Sequence, residues 1–407
     1  MPGKICMLLH EPYPNDIRVS KETQSLIDAG FEIHLICLQR KAEQANEVVN
    51  GIQLHRIPIA QSFFWRGIWD IVLAAFFYQP LFLRKLKRLH AKHNFDAVHV
   101  HDLPLSATAL RIKKIDPQVK VLLDLHENYP EALRIWFAWK KNPIIRLKNK
   151  IFFSYQRWLS YEKRVAKKAD HVIVVVDEMK QRMVDLHLLN AKKLVTVTNS
   201  ESTDFVNQPI MPEVYERNEG DFIMAYTGGV GPHRGVDVCV KGMAFLKDLP
   251  NIRLEITGTL SKQSHTWLTQ LVEENGCQQQ VSINGYQPFQ KFYSYMKLAD
   301  INLIPHNRNG HTDNTIPHKL YQGMLTGNPV VVSSAPPLKR IVENLESGLV
   351  FEAGNPEDFA RQIRLLYENK ELKGKLGQNG LRQTMDKENW EKTGKELVAY
   401  YSELLKK

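Results

Sequence analysis

The chain has 407 residues, 43 % of them apolar, which is too long for one ordinary core and enough for two domains of about 200 residues each. Its net charge of +10 sits in one half: residues 1–200 hold 31 Lys/Arg against 19 Asp/Glu, leaving 23 against 25 for the rest, and so basic a half points to an anionic partner (nucleic acid, an anionic membrane or a phosphate-bearing substrate). No apolar run approaches the ~20 residues of a membrane span, and Cys6, Cys37, Cys239 and Cys277 form no CxxC or Cys/His cluster, so free thiols in a reducing compartment are expected instead of disulfides or zinc.

The first residues run directly into a strand pattern without a signal-peptide profile, so the expected location is the cytoplasm or the cytosolic face of a membrane. Strands are predicted over 5–9, 33–37, 97–101, 121–125 and 171–176, with helices over 19–29, 71–92 and 105–115 between most of them. Short apolar runs separated by helices imply crossover units and a parallel sheet covered on both faces. A second series of strands is predicted over 222–226, 253–257, 281–284, 301–304 and 329–332. Between the series, residues 206–219 hold two prolines and no periodicity, as an interdomain connector would. The expected domains are 1–205 and 220–388, and a last helix over 389–407 is placed to cross back to the first. The fold class is α/β: two Rossmann-like, doubly wound domains whose strand C-termini face one cleft.

Taken in chain order, the first chemically suggestive segment is Glu11-Pro-Tyr-Pro-Asn-Asp-Ile-Arg18, where Asp16 and Arg18 are placed to touch an acceptor or a diphosphate. As an N-cap, Asp16 needs no function at all. His99-Val-His-Asp102 and Asp124-Leu-His-Glu-Asn-Tyr-Pro-Glu131 end adjacent strands. His101, Asp102 and Glu127 are therefore candidates on the acceptor side, and His126 is a catalytic candidate, a hydrogen-bond donor near a reacting sugar. No acid pair of the kind a glycoside hydrolase needs is evident. Residues 133–168 interleave eight aromatics from Trp136 to Tyr161 with 11 Lys/Arg and one acid, Glu162, and Phe63–Lys92 is a second patch of this type. Such amphipathic, basic tracts suit an anionic membrane surface; the alternatives are an ordinary core-facing helix and single-stranded nucleic acid, for which no motif is present. In the second half, Thr227-Gly-Gly-Val-Gly-Pro-His-Arg234 follows a strand; Gly228, Gly229 and Gly231 let backbone approach a ligand, and Arg234 offers a planar fork for phosphate oxygens. Last comes Asn314-Thr-Ile-Pro-His-Lys-Leu-Tyr-Gln-Gly-Met-Leu-Thr-Gly-Asn-Pro-Val-Val-Val332. Ile316, Leu320 and Met324 recur at i, i+4, i+8 and face inward, leaving Lys319, Gln322 and the loop backbone for a ligand.

This last segment resembles the donor-binding stretch of family-4 glycosyltransferases of the GT-B fold, Pro-x-Lys-x-x-Glu-x-Met-x-x-Gly-x-Pro-Val-Val, with Gln322 where a carboxylate is usual. The resemblance implies a retaining, metal-independent hexosyltransferase that needs no cofactor beyond a UDP- or GDP-linked sugar. It implies that Arg234 and Lys319 neutralise the leaving diphosphate and that His126 contacts the donor sugar. Gly228, Gly229, Gly231, Asn314, Thr315, Ile316 and Gln322 would hold the nucleotide sugar. Asn314 and Gln322 stand where many members carry two carboxylates, as a neutral variant of a working site or as its decay. The expected acceptor is a glycan or a lipid-linked molecule at a membrane, with no nucleic acid involved. An epimerase of the same fold and a catalytically silent scaffold are the rival classes.

Overall fold

The computed structural model describes residues 3–14, 16–40, 43–58, 63–138 and 142–406, without the side chains of 63–66, 138 and 232. The chain forms two compact units, residues 1–198 with 393–407, and residues 199–392. The first contains β1 (Lys4–Pro12), β2 (Glu32–Leu38), β3 (Asn46–Val49), β4 (Ile52–Ile57), β5 (Ala97–His101), β6 (Lys120–Leu125), β7 (His171–Val174) and β8 (Leu194–Thr196). Their order is β3-β4-β2-β1-β5-β6-β7-β8, parallel except for the β3–β4 pair. In the second, β9 (Phe222–Thr227), β10 (Ile252–Thr257), β11 (Val281–Gly285), β12 (Ile301–Ile304), β13 (Val330–Ser333) and β14 (Gly348–Phe351) run in the order β11-β10-β9-β12-β13-β14, all parallel. Central strands have almost no exposed side chains (Ile5 to Leu8 and Val330 to Val332 are fully buried), as expected where helices cover both faces.

In each sheet the strand order reverses beside the first strand of the unit, at β1 and at β9. The loops leaving β1, β5 and β6 in one unit, and β9 and β12 in the other, therefore emerge where a doubly wound sheet binds ligands.

Two expectations are corrected. The helix read over 71–92 is two, Phe63–Phe76 and Pro80–His93, because Pro80 has no N–H to donate and disfavours helix at Gln79. Gln79 instead caps the second helix, its Oε1 accepting from Leu81 N at 2.7 Å. The expected connector, residues 206–219, belongs to the second unit, which begins at Asn199. There Phe205 packs with Tyr293, Met296 and Leu325, and Tyr215 Oη donates to Tyr295 O at 2.6 Å. The basic aromatic tract is mixed: Trp158 and Tyr161 on helix Tyr155–Lys168 are buried against Phe77, Phe137, Phe152, Phe153 and Tyr155 are half-buried, and Trp136 is exposed. Trp139 and the side chains of Phe63, Phe64 and Trp65 lie outside the described residues.

The last helix, Trp390–Leu404, joins the first unit from Thr393 onward. Tyr401 is fully buried there, with its hydroxyl 2.6 Å from His99 Nδ1. Removing that hydroxyl leaves a buried imidazole nitrogen without its partner. Tyr401→Phe is expected to lower the stability of the first unit by about 1–3 kcal/mol in urea denaturation, and an unchanged midpoint would show the contact to be idle.

Candidate functional site

In the second unit, β9 leads into the glycine-rich loop and β12 into residues 305–317, so both arrive at the switch point. The two loops interlock. Gly235 has φ +69°, and a Cβ there would stand 1.7 Å from Pro305 O; a Cβ on Gly258 would stand 2.0 Å from Gly228 O. Only glycine allows these approaches. Tyr226 Oη donates to Gly229 O at 2.6 Å and pins the loop from below.

Two cations occupy the space so enclosed. Lys319, on helix His318–Leu325, is half-buried, but its Nζ is enclosed, 3.8 Å from the Tyr226 ring centroid and without a hydrogen-bond partner. Burial, and then the Arg234 charge, hold its ammonium well below the ordinary lysine pKa. Arg234 Nη1 lies 3.3 Å from His306 Nε2. Burial and Arg234 push His233 down to about 3 and His311 to about 4, and they hold His306 well below its usual value too. The histidines are therefore neutral, and His306 Nε2 accepts from the guanidinium. Ser333 Oγ, donating to His306 O at 2.5 Å, fixes that residue in place. Among the described residues neither Lys319 nor Arg234 is paired with a carboxylate. The site gathers Arg234 and Lys319 with no acid beside them among the described residues, a setting that favours an anion.

Around it, Ile316, Leu320 and Met324 are buried as their spacing requires, so only the backbone of Ile316 is available to a ligand. Asn314 Nδ2 donates to Gly310 O at 2.8 Å, and Thr315 lies beside it in the same loop. Gln322 corrects its expectation. Its side chain is buried, not presented to a ligand, and Nε2 donates to Glu201 Oε2 at 2.7 Å. Glu201 also accepts from Ser202 N at 2.8 Å through Oε1. A carboxylate missing from the motif is thus present beside it in space. Nothing in the sequence pattern around Glu201 announces this, since 121 residues separate the partners.

In the first unit the predicted residues gather at the ends of β1, β5 and β6. Asp124, fully buried, takes Arg18 Nε and Nη2 at 3.0 and 2.8 Å and faces His126 Nε2 at 2.8 Å. Arg18 also meets Glu22 at 2.8 Å and donates to Val197 O at 2.8 Å. At 2 % exposure it is committed to this network, which corrects the expectation that it reaches a ligand. His101 is likewise enclosed, 3.3 Å from His126 Nε2. Glu22, His99, His101 and Asp124 bring donor atoms within 4.8 Å of one another, as a metal would need, but the Arg18 guanidinium already meets both carboxylates at 2.8 Å.

His126 is the partly exposed member, with Nδ1 3.6 Å from Asp102 Oδ2 and 3.7 Å from Asp16 Oδ2. Asp16 also caps the helix Ile17–Asp28, its Oδ1 accepting from Arg18 N at 2.9 Å. Asp102 sits at φ +62° and accepts His126 N–H at 3.3 Å. Glu127 is half-buried on the loop after β6. Burial opposes a charge on His126, but Asp102, Asp124 and Asp16 outweigh it and lift the imidazole to about 10. His126 is therefore a fixed imidazolium at neutral pH.

Two family models match: residues 19–204 fit the Glycosyltransferase Family 4 model and residues 207–383 fit Glycosyl transferases group 1. The chain belongs to the family-4-type, group 1 glycosyltransferases, and its fold is GT-B. It is similar to an uncharacterized glycosyltransferase of Methanocaldococcus jannaschii, 25 % identical over 394 residues and 96 % of each chain. Chitobiosyldiphosphodolichol beta-mannosyltransferase of Debaryomyces hansenii is 20 % identical over 404 residues, with 92 % of this chain and 83 % of that one covered. Among solved structures, Anabaena Alr3699/HepE in complex with UDP-glucose superposes with a TM-score of 0.74 at 13 % identity, covering 98 % of this chain and 100 % of that chain.

The His126 charge sets a pH dependence. A folded pKa raised above the free value of 6.5 stabilises fully below 6.5, and that contribution is lost as pH rises through about 10. Glu22, which burial lifts to about 8, completes its own loss earlier. The stability difference between the wild type and His126→Gln is therefore expected to shrink between pH 8 and pH 10. A difference constant over that interval would contradict the raised pKa.

Proposed function

We propose that the protein transfers a hexose, with retention of configuration and without a metal, from a UDP- or GDP-linked sugar to a glycan or lipid-linked acceptor. The observation that carries this reading is the buried, unpartnered Lys319 ammonium beside Arg234, under a glycine loop that admits backbone close to a ligand. A diphosphate supplies the charge these groups lack. As the glycosidic bond breaks, negative charge builds on the leaving phosphate, and cations already fixed in place stabilise it without reorganising. Such preorganised donors are worth about 3–4 kcal/mol each when removed singly from comparable sites. The nucleotide sugar bound by the Anabaena neighbour supports the donor class. In the first unit, His126 would donate to the sugar, its charge held by Asp102, Asp124 and Asp16. Asn314 and Thr315, half-buried in the loop after β12, would hold the remaining hydroxyls, with the Glu201–Gln322 pair fixing the helix behind them.

A lipid-linked acceptor is favoured by the helix Pro143–Phe152. Ile144, Leu147 and Ile151 lie along one side of it, 78 %, 60 % and 53 % exposed, among Arg146, Lys148 and Lys150. Phe76 and Trp136 are also exposed. An apolar stripe rimmed by cations suits an anionic bilayer surface, and the Debaryomyces relative carries a lipid-linked substrate in its name.

Two measurements test this reading. Nucleotide release with a panel of UDP- and GDP-sugars and an acceptor lipid is expected to fall at least a hundredfold in Arg234→Ala with the circular dichroism unchanged; near-normal turnover would remove the phosphate role, and conversion of the nucleotide sugar to its epimer without acceptor or nucleotide release would favour an epimerase. Sedimentation with phosphatidylserine vesicles at low salt is expected to carry down the wild type and to leave Ile144→Glu/Leu147→Glu in solution, whereas a wild type that stays in the supernatant would remove the membrane.

A further inference from the structure

The opposite, N-terminal ends of the first unit's strands carry another group of ionisable side chains. Glu32 and His34 stand two residues apart on β2, on one face of the sheet. His93 reaches them from the end of helix Pro80–His93. His34 Nε2 is 2.8 Å from Glu32 Oε1, and His93 Nδ1 is 3.7 Å from the same oxygen. Donor atoms of all three residues lie within 4.8 Å of one another. The two imidazoles are 4.2 Å apart between centroids, and Phe95 packs against both.

Hydrogen bonds behind this trio decide which ring nitrogens carry protons. Lys85 Nζ donates to Asn46 Oδ1 at 3.2 Å, and the same oxygen faces His55 Nδ1 at 3.1 Å. His55 Nδ1 must therefore donate to it. A neutral His55 then accepts at Nε2, and the proton in its 2.9 Å contact with His34 comes from His34 Nδ1. That leaves His34 Nε2 with a lone pair aimed at a carboxylate oxygen 2.8 Å away. Two acceptors at this distance repel unless a cation lies between them. A proton would serve His34 and Glu32 and leave His93 idle. The His93 separation is too long for a hydrogen bond but near the roughly 3.3 Å between neighbouring ligands of a tetrahedral ion with Zn–N and Zn–O bonds of about 2.0–2.1 Å.

We propose that Glu32, His34 and His93 bind a divalent transition metal of the zinc type, with a fourth position open to solvent. Two imidazoles and a carboxylate suit that ion. The relay from His34 Nδ1 through His55 to Asn46 is the outer support that orients a metal-bound imidazole. Lys4 Nζ holds the second Glu32 oxygen at 3.2 Å, leaving Oε1 for the metal. Glu32 and His93 are partly exposed, so an ion can enter. The site ties β2 to the helix that precedes β5, and it lies at the strand ends away from His126. Its role is to brace the first unit, not to take part in transfer.

Calorimetry of the metal-stripped full chain with zinc chloride is expected to show one saturable site per chain, at least about tenfold weaker in Glu32→Gln/His93→Ala. Zinc is expected to raise the melting temperature of the wild type and not of that variant. His93→Ala alone, at a partly exposed position, serves if the double variant fails to fold. Absence of a saturable site would overturn the proposal and leave a proton-only pair, and undiminished binding by the variants would place the ion elsewhere and overturn it equally.

Discussion

A lysine ammonium without an anion is expensive to bury, and the second unit nevertheless encloses Lys319 beside Arg234. The face of the Tyr226 ring offsets part of that cost, since its negative quadrupole lies 3.8 Å from the ammonium. Much of the local structure serves to hold the two charges together. Gly235 and Gly258 let two loops close to backbone contact, His306 takes one guanidinium N–H as a neutral acceptor, and Ser333 ties down His306. A fold that stabilised only itself would place a carboxylate there.

The contrast with the first unit is instructive. There Arg18 is more deeply buried than either cation, and Asp124, Glu22 and the Val197 carbonyl satisfy it. That network is closed and leaves His126 at its edge, charged and only slightly exposed. The closed network positions one group, whereas the open one receives a ligand. The C-terminal helix contributes to the closed network through Tyr401, which explains in physical terms why the chain returns to the first unit after completing the second.

Most of this architecture was legible in local pattern. Apolar runs such as Ile5–Leu9 and Val330–Val332 announced buried parallel strands, and the 316/320/324 spacing announced the inward face of the helix carrying Lys319. Strands β3, β8 and β14 were missed, being short or half-exposed, and β4, though six residues long and mostly buried, was missed because Gln53, His55 and Arg56 break its apolar run. What local pattern could not supply was the identity of partners across long separations. Arg18 looked like a surface cation of a first turn until Asp124, 106 residues on, was placed against it. Gln322 looked like a ligand contact until Glu201 was found beneath it. His99 meets Tyr401 across 302 residues. In each case a polar residue's role depends on what burial brings to it, and periodicity carries no record of that.

The account stands on the claim that the buried cation pair recognises a pyrophosphate. Calorimetric titration of UDP and GDP against UMP and GMP tests it most directly. The account predicts that one diphosphate binds far more tightly than its monophosphate, and that Lys319→Met erases most of the difference while leaving the fold unchanged. Equal affinities for diphosphate and monophosphate in the wild type, or a preference that survives the substitution intact, would contradict it.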